Sequence, residues 1–226
     1  KKRLKTRMAK KFLLMYISFN SGHHSASCAI EKSLKDLSGG CEVLNINAFN
    51  YVAPIFERII NRTYMSVIKN TPEVWEYLYN NPKVVKNTQT LRDLIHKFNT
   101  GKLRTLLDDF KPDVVGCTQA FPCGMVADYK KTEGIDLPLV GILTDYAPHS
   151  YWIFNTVDAY IVPSQETGNR LIANGILPGK IKVFGIPINP GFCQKKDNQG
   201  LLNKFSLSEG IPTILLMGGG QGLGPI

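Results

Sequence analysis

Short apolar, β-rich runs alternate along the chain with longer stretches whose apolar positions recur every three to four residues. Phe12–Ser18, Glu42–Ile46, Asp113–Thr118, Leu139–Thr144, Ala159–Val162 and Lys182–Phe184 each predict a strand. Between them, His23–Leu37, Ser164–Asn174 and a segment beginning at Cys123–Lys131 predict helices, and a long, mostly helical stretch runs from about Pro54 to Phe110. Ser164 is placed to cap its helix, and Gly175 to end it in the left-handed conformation. Strand–helix–strand alternation predicts an α/β fold: a Rossmann-like parallel sheet with helices on both faces. Such sheets bind ligands beyond the carboxyl ends of their strands. That rule selects three loops, Ser18–His24, Thr118–Gly124 and Thr144–Trp152.

The pattern changes character near Gly185. Ile186-Pro187-Ile188-Asn189-Pro190 leads into a polar stretch that reads as a linker. The expected organisation is a basic tail at 1–11, a first domain at 12–190, a linker at 191–210 and the opening of a second α/β domain at 211–226. In that opening, Ile211–Met217 predicts a strand that runs into the glycine-rich turn Gly218–Gly224.

Composition narrows the class. The hydrophobic share, 43%, and the charged share, 20%, are those of a folded globular protein. No run approaches the ~18 apolar residues of a spanning helix, and Phe12–Ile17 is far too short. Five cysteines, an odd number with no CxxC pair, argue for free thiols rather than a disulfide framework or a zinc site. The net charge of +9, much of it in the opening KKRLKTRMAKK, favours an anionic partner such as a lipid surface. Nucleic acid is a poor fit, because no helix-turn-helix, zinc finger or aromatic RNA-binding signature occurs.

Each candidate site has a chemical reading and a plainer one. In Ser21-Gly22-His23-His24-Ser25-Ala26-Ser27, at the first strand–helix junction, Gly22 permits close approach and a histidine suits general-base work near neutral pH. Plainly read, Ser21 is an N-cap and both histidines lie on the surface. In Thr144-Asp145-Tyr146-Ala147-Pro148-His149-Ser150-Tyr151-Trp152, the aromatic rings suit sugars and lipid, and Asp145 is placed to orient His23 or to take a proton. Plainly read, Asp145 caps a loop and Trp152 anchors the core. The turn Gly218–Gly224 fits neither the dinucleotide fingerprint nor the Walker A pattern, but it suits a phosphate. Aromatic and basic residues interleave from Tyr51 to Tyr79, as on an interfacial helix, and an ordinary amphipathic helix has the same pattern.

Taken together, Asn20–Ser27, the block Thr144-Asp145 through His149 and Trp152, then Val157-Asp158, Pro163-Ser164, Gly185–Ile188 and Met217–Gly224 resemble the monogalactosyldiacylglycerol synthase and processive diacylglycerol glucosyltransferase family. The chain departs from the family's richer glycine run in the first loop, where it has only Gly22. The resemblance implies the N-terminal half of a two-Rossmann-domain (GT-B type) glycosyltransferase. Such an enzyme moves a hexose from a UDP-sugar to diacylglycerol with inversion, using no metal and no cofactor beyond the UDP-sugar co-substrate. It implies catalytic roles for His23 and Asp145, and acceptor contacts from Gly22, His24, Tyr146, His149 and Trp152. Gly219, Gly220 and Gly222 would lie at the donor phosphates. Arg58, Arg62, Tyr64 and Trp75 would face an anionic membrane, to whose cytoplasmic face the protein would bind peripherally. The expected partners are thus a UDP-sugar, diacylglycerol and anionic lipid. On this reading the chain alone is inactive, because most of the donor site lies in the second domain. Two rival readings are a UDP-sugar epimerase of the same two-domain architecture and a nonenzymatic membrane-surface binding module.

Overall fold

The computed structural model describes residues 9–17, 21–38, 40–49, 101–148, 150–194 and 197–217. Within 9–189, six strands are described: β1 (Lys11–Tyr16), β2 (Glu42–Asn47), β3 (Val114–Cys117), β4 (Leu139–Ile142), β5 (Ala159–Val162) and β6 (Ile181–Val183). The helices among them are α1 (Gly22–Ser38), α2 (101–110), α3 (Ala120–Glu133) and α4 (Gln165–Ala173). All strand pairs are parallel, in the order β2-β1-β3-β4-β5-β6. The expected Rossmann-like α/β sheet is therefore present. Of the helical stretch expected from Pro54 to Phe110, only 101–110 lies within the described residues, and it is helical.

This order decides where a ligand can sit. From β1 the chain crosses through α1 to β2 on one side, then returns to β3 on the other side of β1 and continues outward. Right-handed crossovers running in opposite directions put α1 and α3 on opposite faces of the sheet. In sheets of this order ligands bind at that reversal, beyond the carboxyl ends of the strands.

The interior is made of side chains from both layers. Leu13, Met15, Val115, Leu139, Tyr160 and Val162 of the sheet, and Val126 and Leu171 of the helices, are all 0% exposed. Two glycines are explained by aromatic neighbours. A Cβ on Gly124, in mid-α3, would lie 2.6 Å from the Phe154 ring. One on Gly141 would lie 2.9 Å from Tyr160 and 3.4 Å from Trp152. Helix propensity opposes glycine at 124, and ring packing overrides it. At α4 the expected caps are in place. Ser164 Oγ accepts from Thr167 N at 3.2 Å. Gly175 has φ 95°, and Ile176 N donates to Leu171 O as in a Schellman end.

Tyr160 fixes the chain after β4. Its hydroxyl lies 2.6 Å from the Trp152 carbonyl and 3.1 Å from the Phe154 carbonyl, and it accepts from Phe154 N at 3.2 Å. Burial holds the phenol neutral by pushing its pKa far up. Tyr160→Phe orphans those buried backbone groups, so we predict a loss of roughly 2 kcal/mol of stability. Urea denaturation checks this, and an unchanged midpoint would show that the three contacts carry no net stability.

Residues Pro190–Ile226 form a second compact unit. Its described part holds a 3-10 turn at Pro190–Cys193 and the helix α5 (Asn198–Lys204), within the stretch expected to be a linker. Ile211–Met217, expected as a strand, is not one: Ile211, Ile214, Leu215, Leu216 and Met217 are 67–83% exposed and without strand pairing. A strand exists only through a partner's hydrogen bonds, and no described residue supplies them.

Candidate functional site

The three loops selected by the strand-end rule follow β1, β3 and β4, neighbours in the sheet. The structure joins them through one side chain. His23 stands in the first turn of α1, whose start is set by Ser21: its Oγ accepts from His24 N at 3.2 Å, the N-cap geometry. His23 Nδ1 lies 2.9 Å from the Thr118 carbonyl oxygen, beyond β3, and 2.8 Å from Thr144 Oγ1, beyond β4. In return, Thr118 Oγ1 donates to the His23 carbonyl at 3.0 Å. Thr118 is 0% exposed, while His23 is partly open. The imidazole thus sits beyond the strand ends at the sheet's reversal, tied down at one nitrogen.

The remaining candidates fall into three groups. Gly22 is exposed in the same turn of α1, and its α-carbon has open space beyond it. The His24 ring lies on Tyr16, with centroids 4.5 Å apart, and burial pushes the Tyr16 phenol up, so that it stays neutral. Tyr146 is 66% exposed, and its carbonyl accepts from the buried Thr167 hydroxyl at 2.9 Å, which pins the loop after β4 onto α4.

Two expectations change. Asp145 is exposed and makes no hydrogen bond to His23. The His23 ring meets the Thr144 hydroxyl instead, and Asp145 lies in the bend that follows. Trp152, expected as an acceptor contact, is 1% exposed and packed against the position of Gly141. The Tyr160 hydroxyl at its carbonyl holds it in the core, so its place there is that of an anchor. His149, Arg58, Arg62, Tyr64, Trp75, Gly219, Gly220 and Gly222 lie outside the described residues.

Sequence reasoning named the loop Thr118–Gly124 without weighing its residues. Besides Thr118 it holds Gln119, which precedes α3 and whose Oε1 is buried with no hydrogen-bond partner among the described residues. Cys117 precedes that loop and Cys123 lies within it. Burial, and then the hydrogen bond with Cys123, push the Cys117 thiol well up, so it is a neutral packing group. No group of three or more His, Cys, Asp or Glu side chains able to hold a metal occurs among the described residues.

A parallel Rossmann-like sheet with a histidine at its reversal point is a setting shared by many nucleotide- and sugar-handling proteins. Sequence comparison is narrower. The monogalactosyldiacylglycerol (MGDG) synthase family matches residues 23–188, and the chain belongs to that family. It is 23% identical over 214 residues to the processive diacylglycerol beta-glucosyltransferase of Bacillus subtilis (strain 168), covering 95% of this chain and 55% of that protein. To the protein of the same name from Bacillus cereus (strain AH187) it is 25% identical over 213 residues, covering 94% of this chain and 54% of the other. The chain thus spans about half the length of the curated relatives it matches. Among solved structures, the apo lipopolysaccharide outer core galactosyltransferase WaaB superposes with TM-score 0.49 at 11% identity, over 77% of this chain and 45% of that one. The UDP-N-acetylglucosamine 2-epimerase from Rickettsia bellii gives 0.48 at 13%, over 88% and 52%.

Proposed function

We propose that this chain is the acceptor-side half of a GT-B glycosyltransferase that moves a hexose from a UDP-sugar to diacylglycerol at an anionic membrane surface. The observation that carries this reading is His23, anchored through Nδ1 at the sheet's reversal point, with Nε2 left to act as a base. Family membership and the activity named for its Bacillus relatives supply the substrate class.

In this mechanism Nε2 takes the proton of the acceptor hydroxyl as that oxygen attacks the anomeric carbon. The bond from that carbon to the nucleotide's diphosphate breaks, and UDP leaves with the bonding electrons. A single displacement inverts the anomeric centre, and it requires one base and no covalent sugar intermediate. The α1 N-terminus, with no acidic residue in its first turn, supports the negative charge that develops. The second domain supplies most of the donor site, with Gly219, Gly220 and Gly222 at the phosphates. Tyr146, His24 and His149 remain acceptor candidates, and Asp145 is a polar residue in the bend after β4. Arg58, Arg62, Tyr64 and Trp75, with the basic tail, face lipid on the cytoplasmic side. No described helix is long and apolar enough to cross a membrane.

The test uses the full-length gene product with anionic vesicles containing diacylglycerol and a panel of UDP-sugars. A glycolipid formed from one donor is the expected result and identifies the sugar. Conversion of the free nucleotide sugar without lipid would instead establish an epimerase. Vesicle binding with no product from any donor would leave a surface-binding module.

A further inference from the structure

We infer that Thr144, together with the carbonyl of Thr118, is the positioning pair that sets the tautomer and orientation of His23, in place of a carboxylate. The inference rests on the general-base reading above and adds the groups that make such a base competent.

The argument begins with what each partner can do. A carbonyl oxygen accepts hydrogen bonds and never donates, so the 2.9 Å contact to Thr118 O requires the proton to be on Nδ1. Thr144 Oγ1, 2.8 Å from the same nitrogen, then receives a share of that N–H through a lone pair. With Nδ1 protonated, the neutral ring carries its free lone pair on Nε2, and this is the form a general base needs. Two acceptors on different loops also fix the ring plane, since rotation about the side chain would break one contact or the other. The Thr118 hydroxyl, donating to the His23 carbonyl at 3.0 Å, closes the tie from the other direction. When Nε2 takes up a proton, both acceptors still face the Nδ1–H of the cation. Asp145, exposed and without a hydrogen bond to His23, takes no part.

Thr144→Val keeps the shape of the side chain and removes only the second acceptor. In the full-length enzyme its turnover should fall about tenfold, the effect of losing one ordinary hydrogen bond in the transition state. KM for the UDP-sugar should stay within about twofold, since the donor is gripped elsewhere. Thr144→Ser restores the acceptor and should recover most of the rate, while Asp145→Asn should cost less than about threefold. A merely structural role would not move a tautomer. Protein labelled with 15N in histidine, with His23 assigned by the signal lost in His23→Asn, should therefore show Nδ1–H and a bare Nε2. Thr144→Val should broaden or average that signal. An Nε2–H tautomer in the parent protein would overturn the inference, as would Asp145→Asn losing as much rate as Thr144→Val. The labelled Nδ1–H signal together with no transfer to any lipid would support the positioning pair and defeat the transferase reading.

Discussion

His23→Ala in the full-length enzyme should lower turnover roughly a hundredfold or more, the usual scale for removing a general base. The measurement is glycolipid formation at saturating UDP-sugar on diacylglycerol vesicles. The fold should survive, because the ties that hold the first turn of α1 include backbone groups. Thr118 Oγ1 still donates to the carbonyl of residue 23, and Ser21 still caps at His24 N. On the proposed mechanism KM for the UDP-sugar should change little, since the side chain touches loops of this sheet and the donor is gripped elsewhere. A parallel fall in turnover and catalytic efficiency would mark an interaction made only in the transition state. Near-normal turnover in a folded His23→Ala protein would refute the base assignment, and Tyr146 and His24 would become the residues to test.

How far the sequence foretold this arrangement depends on what fixes each feature. Strands and helices were legible because period and length are local. The strand predicted at Ala159–Val162 is found there, and the helix predicted over His23–Leu37 is found at Gly22–Ser38. The strand-end rule then selected three loops that the structure joins through His23, since it needs only the order of elements. It could not choose within a loop. Whether Thr144 or Asp145 meets His23 turns on the path of the chain just past β4, where Asp145 lies in a bend, and ionisability alone favours the neighbour that makes no such contact. Trp152 was misplaced for a similar reason. An aromatic ring beside Asp and His suggests a ligand surface, but Gly141 on β4 leaves the space that draws the indole inward. That space is created by residues distant in sequence, so no local pattern reports it. Ile211–Met217 has the pattern of a strand, and no described residue supplies the pairing that would make it one.

The same long-range logic applies to Asp158, which lies in one of the segments that resemble the family. The structure gives it an architectural task at the opposite end of the strands. Its Oδ2 accepts from Lys130 Nζ at 2.6 Å and from Leu139 N, where β4 begins, at 2.7 Å. The Lys130 side chain is only 7% exposed, whereas that of Asp158 is 50% exposed. The two ends of this ion pair are therefore unequal. Asp158→Ala leaves an ammonium buried without its counter-charge and a strand N–H without its acceptor. Breaking a fully buried pair from one side costs about 3–5 kcal/mol, and the water reaching Asp158 lowers the expected loss to roughly 2–3 kcal/mol. Lys130→Met removes the buried charge itself and keeps an unbranched apolar stem in its place. The Leu139 bond also survives, so that variant should lose no more than about 1 kcal/mol. Urea midpoints of the two variants and the parent, compared at equal slope, decide the matter. Equal losses would mean that the pair acts through its own attraction. The predicted inequality would mean that Asp158 is retained because an otherwise stranded lysine and the first N–H of β4 both depend on it.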